Sequence, residues 1–396
     1  MAEQDCILKT YGGSADRPPL LINHKRNQKR KIMKNNRFRI FVINPGSTST
    51  KLALFENNIK ILETSVTHDA EVLNSFPMPN DQLDYRMGVI KDFVDKNDIE
   101  LDNIDAFVGR GGGCYPVPSG TFEVNDLLLN DIRKNVGRTI HPSILGVQLA
   151  YEMQQKYGGR LFMVDPICVD EYTDVARVTG VKGLERRAES HALNLRGTAM
   201  KHCKIHGMDY KKSSLVVAHI DGGITIAAQK NGKQIDCNQG AGGEGPFTAT
   251  RTGSLPLMEV LDYFKDHTVE EMRHLCTGTG GFVSHFGTAD ADEVYMRVLD
   301  GNEEAKVVWE ALCYNIVKYI GSMAAVLQGN VDGILITGRY TRFRGLIDYI
   351  RKYTGWIAPI YVYENEVEQE AMCAGALRVL RGEEKAKVYT GKGMVR

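Results

Sequence analysis

Residues 37–44 read RFRIFVIN, a β-branched and aromatic run of the kind that forms a buried strand. PGSTS follows as a turn and TKLALFE as a second strand with alternating apolar residues. Asn57–Asn58 then marks a hairpin before a third strand, IKILETSV. Residues 214–238 repeat this layout: SLVVAHI, a DGG turn, ITIAAQK, the hairpin dipeptide Asn231–Gly232, and KQIDCNQ. Two halves built alike, each with a glycine-containing turn after its first strand, predict two similar α/β domains facing one cleft, where ligands tend to bind.

Helical apolar spacing recurs over 81–97 and 143–158, each followed by a strand, and again over 305–329 and 368–384. The expected division is a leader or tag-like extension over 1–35, an N-terminal domain over 36–200, a C-terminal nucleotide-binding domain over 201–388 and a tail over 389–396. The leader carries Pro18–Pro19 and the basic run HKRNQKRK. With no aromatic residues interleaved, it reads as a disordered leader or upstream start rather than a nucleic-acid or targeting arm.

Lysine plus arginine and aspartate plus glutamate both number 49, so any anion site must be local rather than a wholesale basic surface. Eight cysteines are scattered without a C-x-x-C pair, which points to reduced thiols and a cytoplasmic protein. No run approaches the roughly 18 apolar residues of a membrane span. Neither a nucleic-acid nor a membrane partner is expected. His202 and His206 have i, i+4 spacing but no third ligand nearby, and read as a solvated helix face rather than a metal site.

The turns carry the chemistry. A polyphosphate needs backbone N–H groups, hydroxyls and cations at close range. PGSTSTK offers a tight turn, Ser47, Thr48, Ser49 and Thr50 as donors, and Lys51 as a charge; it is not a Walker A loop. Alone it reads as a polar hairpin. The second copy favours phosphate, because Gly222 and Gly223 remove side chains where an anion would approach, with His219 and Asp221 beside them. Arg110 ends the buried run DAFVGR before three glycines, and Arg251 lies in FTATRTGS among glycine-rich loops. Each is either a surface ion-pair residue or an anion ligand at a strand end. Asp165 ends the strand RLFMV before Pro166, as a turn residue or as an acid that orients magnesium or an arginine.

VINPGSTSTKL, RGGG (110–113), HP (141–142), VDP (164–166), RR…SH (186–191), AHIDGG (218–223), GPFT…RTGSLPL (245–257), FGTAD (286–290), LITG (335–338) and ALRVLRGEE (376–384) occur in that order. Over residues 37–388 the chain therefore resembles the acetokinase family of acyl kinases, in the actin and sugar-kinase ATPase superfamily, and its butyrate kinase branch in particular. The resemblance implies two ribonuclease-H-like, actin-like ATPase domains. It also implies reversible, direct in-line transfer of the γ-phosphoryl group from ATP, with Mg2+, to a short-chain carboxylate such as butyrate, in a homodimer or larger homo-oligomer. A carboxylate, with a pKa of about 4–5, is already ionised and needs cations rather than a base.

Residue by residue, the resemblance implies that Arg110 and Arg251 hold the carboxylate and the transferring phosphoryl group. Asn44 and Ser47 lie near that group and its magnesium. Ser49, Lys51, His219, Asp221, Gly222, Gly223 and Gly338 serve the nucleotide and its phosphates. Asp165 orients magnesium or an arginine, His191 steadies the transition state, and His141 borders the acyl pocket. Glu368 matches the magnesium-associated glutamate, with Glu366 and Glu370 in competing register. The chain departs from the pattern in three places. GTAD stands where acetate kinases carry an Asp/Arg pair, Gly222 where they offer asparagine, and Arg339 where a TGG nucleotide motif has its second glycine. Two rival functions share the scaffold. One is a hydroxyl kinase, which needs an aspartate base; the other is a nucleotide-gated binding module, which needs no acceptor arginines.

Overall fold

The computed structural model of the chain describes residues 37–137, 141–240 and 243–395, so the leader expected over 1–35 lies outside the described residues. The first sheet contains β1 (Arg39–Pro45), β2 (Ser49–Glu56), β3 (Ile59–Thr67), β4 (Ala106–Gly109), β5 (Thr121–Glu123) and β6 (Arg160–Val164). The second contains β7 (Ser214–Ile220), β8 (Ile224–Lys230), β9 (Lys233–Cys237), β10 (Gly333–Thr337) and β11 (Ile360–Val362), and β12 (Lys387–Val388) returns to the first. The strand orders are β12-β5-β6-β4-β1-β2-β3 and β11-β10-β7-β8-β9.

The repeat seen in the sequence is a repeat of topology. β1, β2 and β3 form an antiparallel meander, and β4 and then β6 continue parallel to β1 on its other side. β7, β8 and β9 form the same meander, with β10 and then β11 parallel to β7. The second meander turns through Asn231 (φ 54°) and Gly232 (φ 79°), both in the left-handed region that a two-residue hairpin requires. β1 and β7 are buried along nearly their whole length, as their unbroken apolar runs demand.

Each sheet is covered on both faces. Ile90 and Phe93 of the helix Leu83–Lys96 and Leu145 and Leu149 of the helix Ile144–Tyr157 pack with Phe41, Ile43 and Leu52. On the opposite face, Met372, Cys373 and Ala376 of the helix Glu368–Leu380 meet Ile40, Val42 and Ala53. In the second sheet, the helices Glu303–Val326 and Arg344–Thr354 cover one face and Ala192–Ile205 the other. The two middle helices touch where a Cβ on Gly197 would fall 2.7 Å from Ala371 Cβ, so glycine there lets them close. The helix Ala192–Ile205 spans the expected boundary at residue 200. The helix Glu368–Leu380 and β12, expected in the second domain, pack on the first sheet. Division therefore does not follow chain order, because the last crossover returns to the first half.

Seven cysteines among the described residues are free thiols. Among the described residues no helix is long and apolar enough to cross a membrane. His202 corrects the expected solvated face: it is buried, its Nδ1 lies 2.7 Å from the Tyr363 hydroxyl, and its ring meets Tyr361, while His206 is exposed. Tyr361 of β11 and Tyr363 just beyond it give that helix face an aromatic neighbour.

Candidate active site

The first turn, between β1 and β2, sets Asn44 directly across from Lys51. Ser47 and Thr48 form its exposed tip. Its carbonyl groups are drawn inward. The Thr48 carbonyl accepts from the His68 N–H at 2.9 Å, and the Ser49 carbonyl accepts from the Gly46 N–H at 2.8 Å. Lys51 pairs with Glu366.

Arg110 leaves the end of β4, where a Cβ on Gly109 would fall 2.3 Å from the Gly146 carbonyl oxygen. Glycine at both positions lets the helix Ile144–Tyr157 ride directly on the strand end and fixes where Arg110 emerges. Its Nη1 lies 2.5 Å from Glu368 Oε1, and the Asn44 amide donates to Glu368 Oε2 at 2.8 Å. All three side chains are nearly shut off from water. Burial alone would raise the Glu368 pKa, but Arg110, the Asn44 hydrogen bond and Lys51 outweigh it and pull it to about 2. The buried Arg110 Nε has no hydrogen-bond partner among the described residues.

The second turn, Asp221–Gly223, links β7 to β8. Gly222 N–H donates to Asp221 Oδ1 at 2.6 Å. A Cβ on Gly223 would fall 2.5 Å from Arg251 Nη1 and 3.0 Å from His191 Nε2, so both groups stand directly against this turn. Arg251 Nη1 donates to the Gly240 carbonyl. Burial lowers the Arg251 pKa, and among the described residues no carboxylate lies within ion-pair reach of it. Gly338 (φ 99°) ends β10 so close to β7 that a Cβ would fall 2.4 Å from the Ile220 carbonyl oxygen. Arg339, next in the chain, grips Asp221 with Nε at 2.9 Å and Nη2 at 2.8 Å.

Two histidines bordering these turns are neutral. His141 accepts the Ser143 N–H on Nδ1 at 3.0 Å, which leaves the proton on Nε2, 3.4 Å from Ser47 Oγ. Desolvation, then Arg110 and Arg251, lowers its pKa to about 4. His191 lies 2.8 Å by Nδ1 from Thr225 Oγ1, and its ring centroid lies 4.2 Å from that of His219 with the planes tilted by 33°; burial, His219 and the two arginines hold its pKa well below the usual value.

Most of the sequence-derived residues thus converge, but Asp165 does not join the arginine cluster. It ends β6 with φ 38°, accepts from Gly120 N–H at 2.6 Å and pairs with Arg196 at 2.9 Å. The arginine it orients is thus Arg196 rather than Arg110. Asp165 still borders a cavity of about 1050 Å3 that Asn44, Lys51, Arg339, Glu366 and Glu368 also line. Glu370, one of the competing glutamates, instead pairs with Lys60.

Two residues escaped the sequence reading. Asn194 is fully buried; its amide meets His219 Nδ1 at 2.5 Å and its Oδ1 accepts from Val367 N–H at 3.1 Å, so it ties the second turn to the Glu366–Glu368 segment. Arg86 is fully buried beneath the first turn. The one available signal was a polar residue standing inside the apolar stripe of each helix.

A family model for the acetokinase family matches residues 182–340. The chain is 44% identical to a probable butyrate kinase 2 of Caldanaerobacter subterraneus subsp. tengcongensis over 354 residues, covering 89% of this chain and 99% of that one. It is 39% identical to butyrate kinase 2 of Clostridium acetobutylicum over 355 residues, with the same coverage. In fold it is similar to the crystal structure of Porphyromonas gingivalis acetate kinase (TM-score 0.70, 18% identity, covering 87% of this chain and 100% of that one). It is likewise similar to a propionate kinase from Francisella tularensis subsp. tularensis (TM-score 0.67, 17% identity, 85% and 98%). With relatives this similar aligned along nearly their whole length, the chain belongs to the acetokinase family.

Proposed function

We propose that this chain transfers the γ-phosphoryl group of ATP directly to a short-chain carboxylate such as butyrate, giving ADP and an acyl phosphate, and runs the reverse reaction. The observation that carries this is Arg251, a desolvated guanidinium set against the Gly223 turn with no carboxylate among the described residues to neutralise it. A carboxylate and a γ-phosphate that meet at about 4 Å repel by about 4 kcal/mol at an effective dielectric near 20. Arg251 supplies uncancelled charge against that repulsion. Arg110, half-neutralised by Glu368, keeps a buried Nε donor free for an oxyanion.

The acids bordering the cleft support a carboxylate acceptor over a hydroxyl one. Glu368 is paired with Arg110, Glu366 with Lys51, Asp221 with Arg339 and Asp165 with Arg196. None of these is free to take a hydroxyl proton, whereas an ionised acceptor needs none taken. His141, with its proton on Nε2, and neutral His191 suit hydrogen-bond donation to the equatorial oxygens rather than proton abstraction.

The oxygen donors fit a hard divalent cation. Asn44 and Glu368 would hold magnesium jointly with the nucleotide phosphates, and the ion would supply charge neutralisation there. Ligand atoms of His219, Asp221 and Glu366 also lie within 4.8 Å of one another, with Asp221 paired to Arg339 and Glu366 to Lys51 as Glu368 is to Arg110. The test is a panel of straight and branched carboxylates of two to five carbons, with glycerol and glucose beside them, each with ATP and magnesium. Hydroxylamine trapping of an acyl phosphate from a carboxylate supports the proposal; phosphorylation of the alcohols alone refutes it.

A further inference from the structure

Arg86, on the helix Leu83–Lys96, is the largest fully buried side chain and sits directly beneath the Gly46–Thr50 turn. Its Nη2 donates to the Gly46 carbonyl at 3.0 Å, and its Nη1 to the Ser49 carbonyl at 3.1 Å and the Thr50 hydroxyl at 2.9 Å. Its Nε donates to Gln82 Oε1 at 3.0 Å. Every one of these partners is neutral. Burial lowers its pKa to about 10, with Tyr85 the only counter-influence, and no carboxylate among the described residues contributes. Buried arginines are ordinarily paired, because an uncompensated interior charge is costly. A charge kept here without a counter-ion needs a compensating use.

We propose that Arg86 is the fixed positive charge of the first phosphate turn, a positioning residue that acts on a nucleotide through Gly46–Thr50 without touching it. Turn carbonyls facing the cleft would repel a polyanion. Arg86 draws the Gly46 and Ser49 oxygens inward, and His68 N–H draws in that of Thr48, so the exposed tip keeps its amide and hydroxyl donors. The charge also reaches the cleft, since Arg86 is among the cations that disfavour a protonated His141. At the second turn Arg339 pairs with Asp221 on the rim, and the desolvated Arg251 stands against Gly223. This inference rests on the proposed use of ATP, and it adds that the ligand recognised through Arg86 is the nucleotide's phosphate chain rather than its nucleoside.

Calorimetric titration of ADP and of adenosine into the full chain, Arg86→Met and Arg86→Lys, with thermal melts of all three, tests it. ADP affinity should fall about tenfold or more in Arg86→Met and largely recover in Arg86→Lys, with adenosine affinity equal in all three. A folded Arg86→Met that binds ADP within about threefold of the parent overturns the proposal. Equal losses for ADP and adenosine also overturn it, since they mark a merely structural role. Should Arg86→Met fail to fold, the neutral but hydrogen-bonding Arg86→Gln decides: a loss confined to ADP supports the role, and unchanged ADP affinity or a loss shared by adenosine overturns it. A parent chain that binds neither ADP nor ATP overturns this inference and the proposed activity together. A parent that binds ADP regardless of Arg86 overturns this inference alone.

Discussion

Arg251→Ala removes a guanidinium that borders the second turn without a carboxylate partner among the described residues. The anion–anion repulsion it opposes is about 4 kcal/mol at ~4 Å and an effective dielectric near 20, equivalent to about a thousandfold in rate. Arg110 cannot replace it, because Glu368 already takes much of that charge. The loss should fall mainly on kcat, since the two anions are closest in the transition state. Arg251→Lys should recover only part, as an ammonium lacks the planar fork that spans two oxygens. Stability should move the other way. The folded protein lowers the Arg251 pKa by desolvation, so its charge opposes folding, and Arg251→Ala should melt no lower than the parent. The assay is hydroxamate formation with butyrate, ATP and magnesium, beside a thermal melt. Turnover within about tenfold of the parent would refute the role, and an equal collapse of melting temperature and activity would reassign Arg251 to structure.

Gly223→Ala places its Cβ 2.5 Å from Arg251 Nη1 and 2.8 Å from His191 Cε1, so turnover should drop with little unfolding; unchanged kinetics would mean the turn lies away from the chemistry. Arg339→Gly leaves the buried Asp221 carboxylate unpaired at the phosphate turn, so ADP affinity without magnesium should fall about tenfold and recover as magnesium is added; calorimetry showing tighter binding would make Arg339 an obstruction instead. His141 carries a folded pKa of about 4 against 6.5 unfolded, so the unfolded chain binds the extra proton between those values and stability should rise as pH increases from 4 to 6.5. Guanidinium unfolding of the parent and His141→Gln should show the variant with the shallower pH slope, by up to about 1.4 kcal/mol per pH unit. Asn194→Ala strands His219 Nδ1 and Val367 N–H, and should cost about 1–3 kcal/mol in the same experiment; no loss would mean other groups rescue both.

The meanders were legible because buried strands, Asn-rich hairpins and a glycine turn are local signals; Asn44, Arg110 and Gly223 follow from where the strands end, and Arg251 from its glycine-rich loop. Topology hid the rest. Arg86 and Asn194 are polar residues on otherwise apolar helix faces, a pattern that reads as solvated until a turn or a neighbouring segment supplies their partners. His202 misled for the same reason, since Tyr361 and Tyr363 reach it from a distant strand. Asp165 stands at the expected strand end and holds an arginine, Arg196, whose place on the helix Ala192–Ile205 the sequence did not link to it. The helix that presents Glu368 returns to the first sheet, a crossover that periodicity alone cannot assign.

Phosphorus NMR of the full chain with butyrate, ATP and magnesium follows the proposed reaction as it happens. An acyl-phosphate resonance should grow in step with ADP, vanish on adding hydroxylamine, and be absent with Arg251→Ala. ADP appearing only with inorganic phosphate, before any hydroxylamine is added, would contradict direct transfer to a carboxylate.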